Sequence, residues 1–320
     1  FAVTLVVLGD ASRALIHALL RSGRANRGPG HLRDAMNLPS ATLIAQSVLS
    51  GVFIGALYGL LGLGLSLSWG MLRQINLAHF ALAFLGAYLT YQLSSVAGWD
   101  PVATLVVIVP CLFAFGVLMH WLFARFSISP FNSLLVTFGL TVIIESAIQG
   151  IWTADPRMLD SAYGQFKFKV GALYVPFPEL LTVLLATTLS ILAWAVLRYT
   201  DIGKAMRAAA EDAPTAAAFG VNERKLSLLL SGVSAAFAGV AGLCLALSFS
   251  LAPSQIYAWV GVVFAAVMIG GLGNPLGPLV AGIVIGVSES LTMAIAAPAW
   301  APLVSFSLLI VVLLARAEKI

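Results

Sequence analysis

Apolar runs alternate with short polar joints along most of the chain. The runs cover about 43–71, 77–97, 101–123, 131–152, 179–198, 226–249, 256–272, 277–294 and 299–316. A helix of about 20 mostly apolar residues spans the hydrocarbon of a bilayer. The pattern therefore predicts an all-α, polytopic membrane protein with about eight or nine membrane helices, some broken or re-entrant. Only GNPLG separates 256–272 from 277–294, which reads either as two crossings or as one broken or re-entrant element. The last run is short but apolar throughout from Leu303 to Leu314.

The N-terminal stretch does not fit this alternation. Residues 1–20 are apolar but are interrupted by Asp10, Arg13 and His17, and RSGRANRGPG follows. An interfacial amphipathic helix and a flexible linker are expected there. The chain is thus read as an N-terminal segment, 1–40, and a membrane domain, 41–320.

Composition sharpens the membrane reading. Sixty per cent of the residues are apolar and 9% charged, against about 25% charged in a soluble domain. The net charge of +4 needs no nucleic-acid partner, because Lys and Arg gather on cytoplasmic loops of membrane proteins. Placing residues 201–225 inside puts Arg73, Arg125, Arg198, Lys204, Arg207, Arg224, Lys225, Arg316 and Lys319 in the cytoplasm. The outside then receives Arg157, Lys167 and Lys169, a nine-to-three division that favours this orientation. Cys111 and Cys244 both lie in apolar runs, which suits core residues rather than a disulfide or metal site.

One polar joint is unlike the others. From Arg198 to Lys225, nine of 28 residues are charged, almost a third of the thirty charges in the chain. Asp212 can cap a helix whose first turn holds Pro214. Ala216, Ala217, Ala218 and Phe219 continue it, Gly220 suits its end, and Asn222 can cap the next helix. A solvated loop obeying the positive-inside rule would need neither cap. A short helix faced with small side chains suits insertion into a groove on a partner.

These residues carry a resemblance. RYTDIGKAMRAAAEDAPTAAAFGVNERK resembles the cytoplasmic loop of ABC importer permeases of the branched-chain amino acid type. GALYGLLGLGLSLSWGMLRQINLAH, residues 55–79, is similar to that family's first span and its Ile-Asn-x-Ala-His motif. FAAVMIGGLGNPLGPLVAGIVIGVSE, residues 264–289, resembles its Gly-Gly-x-Gly segment and glycine-rich helix. The resemblance runs in order from about residue 45 to 318. It implies the membrane half of an importer in the bacterial inner membrane. The implied partners are two ATP-binding cassette subunits, a second related permease chain and an external solute-binding protein, besides lipid. The loop would be the coupling helix, with Glu211, Asp212, Ala213, Ala217, Phe219 and Gly220 as ATPase contacts. The chain has no G-x-x-x-x-G-K-[ST] loop. ATP and Mg are accordingly expected on the partner subunits, with no cofactor, metal or catalytic residue in this chain.

Polar groups inside spans are costly and mark candidate pathways. Asn76 and His79 are three residues apart, so they share a helix face. GGLGNPLG cannot continue a helix, and freed backbone at membrane depth must face protein or a water-filled cavity. Asn76, His79, Gly271, Gly273, Asn274 and Glu289 are therefore expected along the translocation route, the first five near its centre. Membrane histidines also serve as hydrogen-bonded structural residues, and that reading stands beside this one. Many members of the family follow the histidine with glycine and an acidic residue, whereas Phe80 and Ala81 stand here. The turn thus carries no carboxylate, which points to a different or more apolar substrate. The rival is a proton- or sodium-coupled secondary transporter using Glu145, Glu289 and His79 as relay groups. A passive channel would also suit the glycine-rich spans.

Overall fold

The computed structural model describes residues 40–126, 129–295 and 298–317. The interfacial helix and linker expected at 1–40 thus lie, but for Ser40, outside the described residues. The membrane domain opens with α1 (Ala41–Leu72), a 32-residue helix that is about 48 Å long at 1.5 Å per residue. Then follow α2 (Ala78–Tyr91), which runs into a π turn at Gln92–Val96, α3 (Leu105–Arg125) and α4 (Pro130–Trp152). An antiparallel hairpin of β1 (Lys167–Val170) and β2 (Leu173–Pro176) leads into α5 (Phe177–Tyr199). Two short helices come next, α6 (Asp201–Glu211) and α7 (Ala213–Ala218). The chain then re-enters the bundle as α8 (Glu223–Ser248), α9 (Ile256–Gly270), α10 (Gly277–Ile295) and α11 (Ala301–Ala317).

Among the described residues, seven helices are long and apolar enough to cross a membrane. They are α1, α3, α4, α5, α8, the Pro253–Gly270 stretch containing α9, and α10. Two expected crossings are shorter: α2 has 14 α-helical residues before its π turn, and the last apolar helix covers Pro298–Leu314. The two readings of 256–294 resolve into two helices that turn back on each other. Gly271 and Gly273 take φ of +93° and +76° in the turn, a region glycine enters without Cβ strain.

Side-chain bonds sort the joints into two ends. At one end Gln46 of α1 holds both the N–H and the carbonyl of Tyr174, each at 3.0 Å. There too Tyr163 donates to Asp100 at 2.6 Å, and Arg157 pairs with Leu251 through backbone. The other end holds Arg73, α6, α7 and the 271–276 turn. This is the division the charge count requires.

Packing at the centre is by backbone. The extensive α1–α10 contact brings Gly51 and Gly55 against Gly282 and Gly286. A Cβ on Gly55 would lie 2.5 Å from the Gly282 carbonyl oxygen, and one on Gly282 2.5 Å from that of Gly55. Lipid is as apolar as leucine, so van der Waals fit has to hold such helices together, and small residues permit it. α8 uses the same device: a Cβ on Gly242 would stand 2.4 Å from the carbonyl of Ala83 in α2. α1 and α8 are the most buried spans, whereas α3, α4 and α5 expose most of their apolar residues, as surfaces facing lipid do.

Candidate functional site

The charged joint is more ordered than a single helix. Thr200 caps α6 by accepting the Gly203 N–H at 3.1 Å. Gly203 and Met206 are the buried positions of α6, and Met206 packs with Leu63, Leu67, Ala193, Leu197 and Leu230. Asp212 then caps α7, accepting the Thr215 N–H at 3.2 Å and the Thr215 hydroxyl. Those bonds hold its carboxyl below the usual carboxylate range, the hydroxyl contributing most. At the far end Gly220 adopts φ +87°. The Val221 N–H reaches the Ala216 carbonyl at 3.1 Å, and that of Gly220 reaches Ala217 at 2.9 Å. This is a Schellman stop. Asn222 caps α8 by accepting the Lys225 N–H at 3.0 Å. The three expected capping residues, Asp212, Gly220 and Asn222, do what their chemistry suggests, but α6 was not foreseen.

Ala216 faces the protein and fixes the roll of α7. Glu211, Asp212, Ala217, Phe219 and Gly220 are exposed, with Ala213 half-buried. Phe219 is 85% exposed. Behind the loop lies a cavity of about 510 Å³, bounded by α1, α3, α6, α7 and α8. Glu211, Asp212 and Ala213 reach its wall, together with Arg73, His120 and Glu223.

Arg73 carries a role the sequence did not announce. It follows α1 with φ +53°, unusual for a residue with a Cβ. That conformation ends α1 and brings its guanidinium to the Ala210 carbonyl at 3.1 Å, in the last turn of α6. One turn earlier, Gly70 abuts the 271–276 turn, where a Cβ would meet Gly273 N at 2.1 Å. Ser66 adds its carbonyl to the Gly273 N–H at 3.1 Å and its hydroxyl to the Gly271 carbonyl at 3.3 Å. The end of α1 thus touches both the charged loop and the GGLGNPLG turn.

The residues expected along a route separate into groups. Gly271, Gly273 and Asn274 lie level with the last turns of α1, not halfway along it. The reason is that α9 and α10 are both full helices, so their breaking residues form an end turn. Asn274 caps that turn by accepting the Leu276 N–H at 3.1 Å. Asn76 and His79 sit across the start of α2, both buried. His79 Nε2 donates to the Leu61 carbonyl at 2.9 Å, and its ring lies on Gly64, where a Cβ would be 2.5 Å from Cε1. Gly64 is therefore the socket for this imidazole. Asn76 Oδ1 and His79 Nδ1 are buried without a hydrogen-bond partner among the described residues. Glu289 is elsewhere, deep among α1, α10 and α11. Its carboxyl accepts from the Tyr58 hydroxyl at 2.9 Å and from the Ser305 hydroxyl.

The model of the family described as branched-chain amino acid transport system / permease component matches residues 47–313. The high-affinity branched-chain amino acid transport system permease protein LivH of Salmonella typhimurium is 27% identical over 286 residues, covering 84% of this chain and 92% of that protein. BraD of Pseudomonas aeruginosa, described in the same words, is 23% identical over 297 residues, 87% and 96% of the two chains. A probable LivH permease of Methanocaldococcus jannaschii is 29% identical over 257 residues, 77% and 80% of the two chains. No solved structure matches. A match that spans the bundle from α1 to α11, on a chain with seven membrane-length helices, leads to one conclusion: this chain belongs to the family of branched-chain amino acid transport permeases and is a multi-pass transport component of the inner membrane, not an enzyme.

Proposed function

We propose that the chain is the membrane-spanning permease subunit of an ATP-driven importer for branched-chain or similar hydrophobic amino acids. It would pair with a second permease chain, dock two ATP-binding cassette subunits inside, and receive solute from an external binding protein. ATP and Mg would be held by the cassette subunits. The observation that carries this reading is α7: a helix capped at both ends, rolled by Ala216 and presenting Ala217 and Phe219 outward. Arg73 would transmit the motion of that loop to the end of α1 and, through Gly70, to the 271–276 turn. Asn76, His79 and that turn are proposed to border the inner half of the route. The unpartnered Asn76 Oδ1 and His79 Nδ1 support this, since buried polar atoms lacking partners often mark functional positions. Glu289 is assigned to holding three helices together.

The relay groups of a gradient-driven transporter do not connect. Glu145 accepts from Tyr257 at 2.8 Å and Gln149 at 3.3 Å, Glu289 from Tyr58 and Ser305, and His79 donates to Leu61. No hydrogen bond among the described residues joins one of these groups to another. The test is uptake by the reconstituted complex, with its binding protein outside. Uptake should require ATP on the cassette side and persist when ion gradients are collapsed. Uptake that stops with an uncoupler while ATP stays high would overturn the reading.

A further inference from the structure

A second cavity lies at the opposite end of the bundle from α7. It has a volume of about 190 Å³ and opens between α1, α5, α8 and α10. Its polar lining is Glu179, Thr182, Ser50, Ser248 and Ser290, and its apolar lining is Phe53, Ile54, Leu57, Phe249 and Met293. The walls are built from buried positions: Phe53, Leu57, Thr182 and Ser290 are 6%, 2%, 3% and 9% exposed. Ser50 and Leu57 are two turns apart, so the pocket reaches about 10 Å into the bundle. The Gln46–Tyr174 bonds tie the β hairpin to α1 just above it.

The lining is chemically one-sided. Glu179 is its only charged group, and no Lys or Arg lines it. Glu179, in the first turn of α5, has no hydrogen bond or ion pair with another described residue. The side chains of Ser50, Ser248 and Ser290 likewise have no partner there. A half-buried carboxylate over an apolar floor matches a ligand with a cation at one end and a short hydrocarbon at the other. The volume is below the roughly 300 Å³ at which drug-sized sites begin, which suits a ligand of few atoms.

From this we infer that the cavity is an outward-side subsite for the amino acid in transit, resting on the importer reading above. The α-ammonium sits at Glu179, the side chain lies on Ile54, Leu57 and Phe249, and the serine hydroxyls take the carboxylate. Occupancy there is brief, because the binding protein, not the permease, concentrates the solute.

The test uses the complete importer in liposomes without binding protein. Ser50→Cys is introduced with Cys111→Ala, since Cys111 is exposed and would react, whereas Cys244 is buried. Alkylation from outside is timed against leucine and against the 2-oxo acid of the same skeleton, which lacks the ammonium. Leucine should slow labelling and the oxo acid should not. Glu179→Gln should shift the protecting leucine concentration about tenfold upward, the scale of one lost charge-assisted contact. Labelling unaffected by leucine, in a complex that still transports leucine when its binding protein is added, overturns the subsite alone. No protection, with no leucine transport by the unsubstituted complex either, overturns the importer's amino acid assignment as well. A cysteine that never reacts in the assembled complex means that a partner chain covers the cavity, which also overturns the subsite.

Discussion

The α1–α10 seam and the α6–α7 loop show two different ways of fixing a helix. Along the seam Gly55 and Gly282 let two backbones meet, and the Tyr58–Glu289 hydrogen bond is the side-chain bond across it among the described residues. The loop is exposed, charged and thinly packed, and it is held by Thr200, Asp212, Asn222 and the Gly220 stop. In lipid, close fit is what remains to hold helices, and any added carbon is felt along the whole seam. In water, caps give a six-residue helix a defined start and stop while leaving one face free. The seam sets the shape of the bundle, and the loop presents a surface.

Breaking the seam should have the largest effect. Gly55→Leu must push α1 and α10 apart, beyond the roughly 1–3 kcal/mol of ordinary overpacking. Folded, monodisperse protein should vanish on size-exclusion chromatography of detergent extracts, and Gly55→Ala should lower the melting temperature markedly. A Gly55→Leu variant that elutes and melts like the parent would show that the seam is not tight.

His79→Ala tests the junction between α1 and α2. It removes the bond to the Leu61 carbonyl and empties the socket at Gly64, a loss on the order of 1–3 kcal/mol. Thermal unfolding should report that loss, and transport should fall with it. Undiminished stability together with lost transport would assign His79 to the solute instead.

Arg73→Ala separates the two regions further. The guanidinium contact is exposed, so its deletion should shift stability by no more than about 1 kcal/mol. ATP hydrolysis should continue while solute moved per ATP drops several-fold, and Arg73→Lys should restore part of the ratio. Equal ratios in all three proteins would remove Arg73 from the transmission path.

Asp212→Asn should have the smallest effect, because an amide oxygen also caps. The carboxyl is held below its ordinary value of 3.8 by Thr215. A depressed value means that the cap is fully present above that pH and is lost only as the pH falls through the lowered one. Binding of ATPase subunits should therefore be flat between about pH 5 and 8 in both proteins. A transition near neutrality in the parent alone would mean that Asp212 sits in a different environment.

What was legible in the sequence follows this same division. Caps and stops are decided within three or four residues, so Asp212, Gly220 and Asn222 could be placed by inspection. The spans were legible because apolar length is a local property. α6 does carry a helical period, with Ile202, Met206 and Ala209 on one face and Lys204, Arg207 and Glu211 on the other. It went unread because its eleven residues are far shorter than the apolar runs that mark spans. The long-range contacts were not legible at all. Arg73 meets Ala210 across 137 residues and Tyr58 meets Glu289 across 231, and nothing near either residue announces its partner. GGLGNPLG was read rightly as a break but set too deep, because a break does not reveal how much helix lies on each side of it.

The central claim is that α7 is the face that meets the ATPase. Ala217 is exposed and packs on nothing essential to the bundle, so Ala217→Arg should leave chromatographic profile and melting temperature unchanged. The decisive measurement is the amount of cassette subunit that co-purifies with the tagged permease. Ala217→Arg should lose most of it while the second permease chain is retained. Full recovery of the cassette subunits with normal transport would mean that the ATPase docks elsewhere.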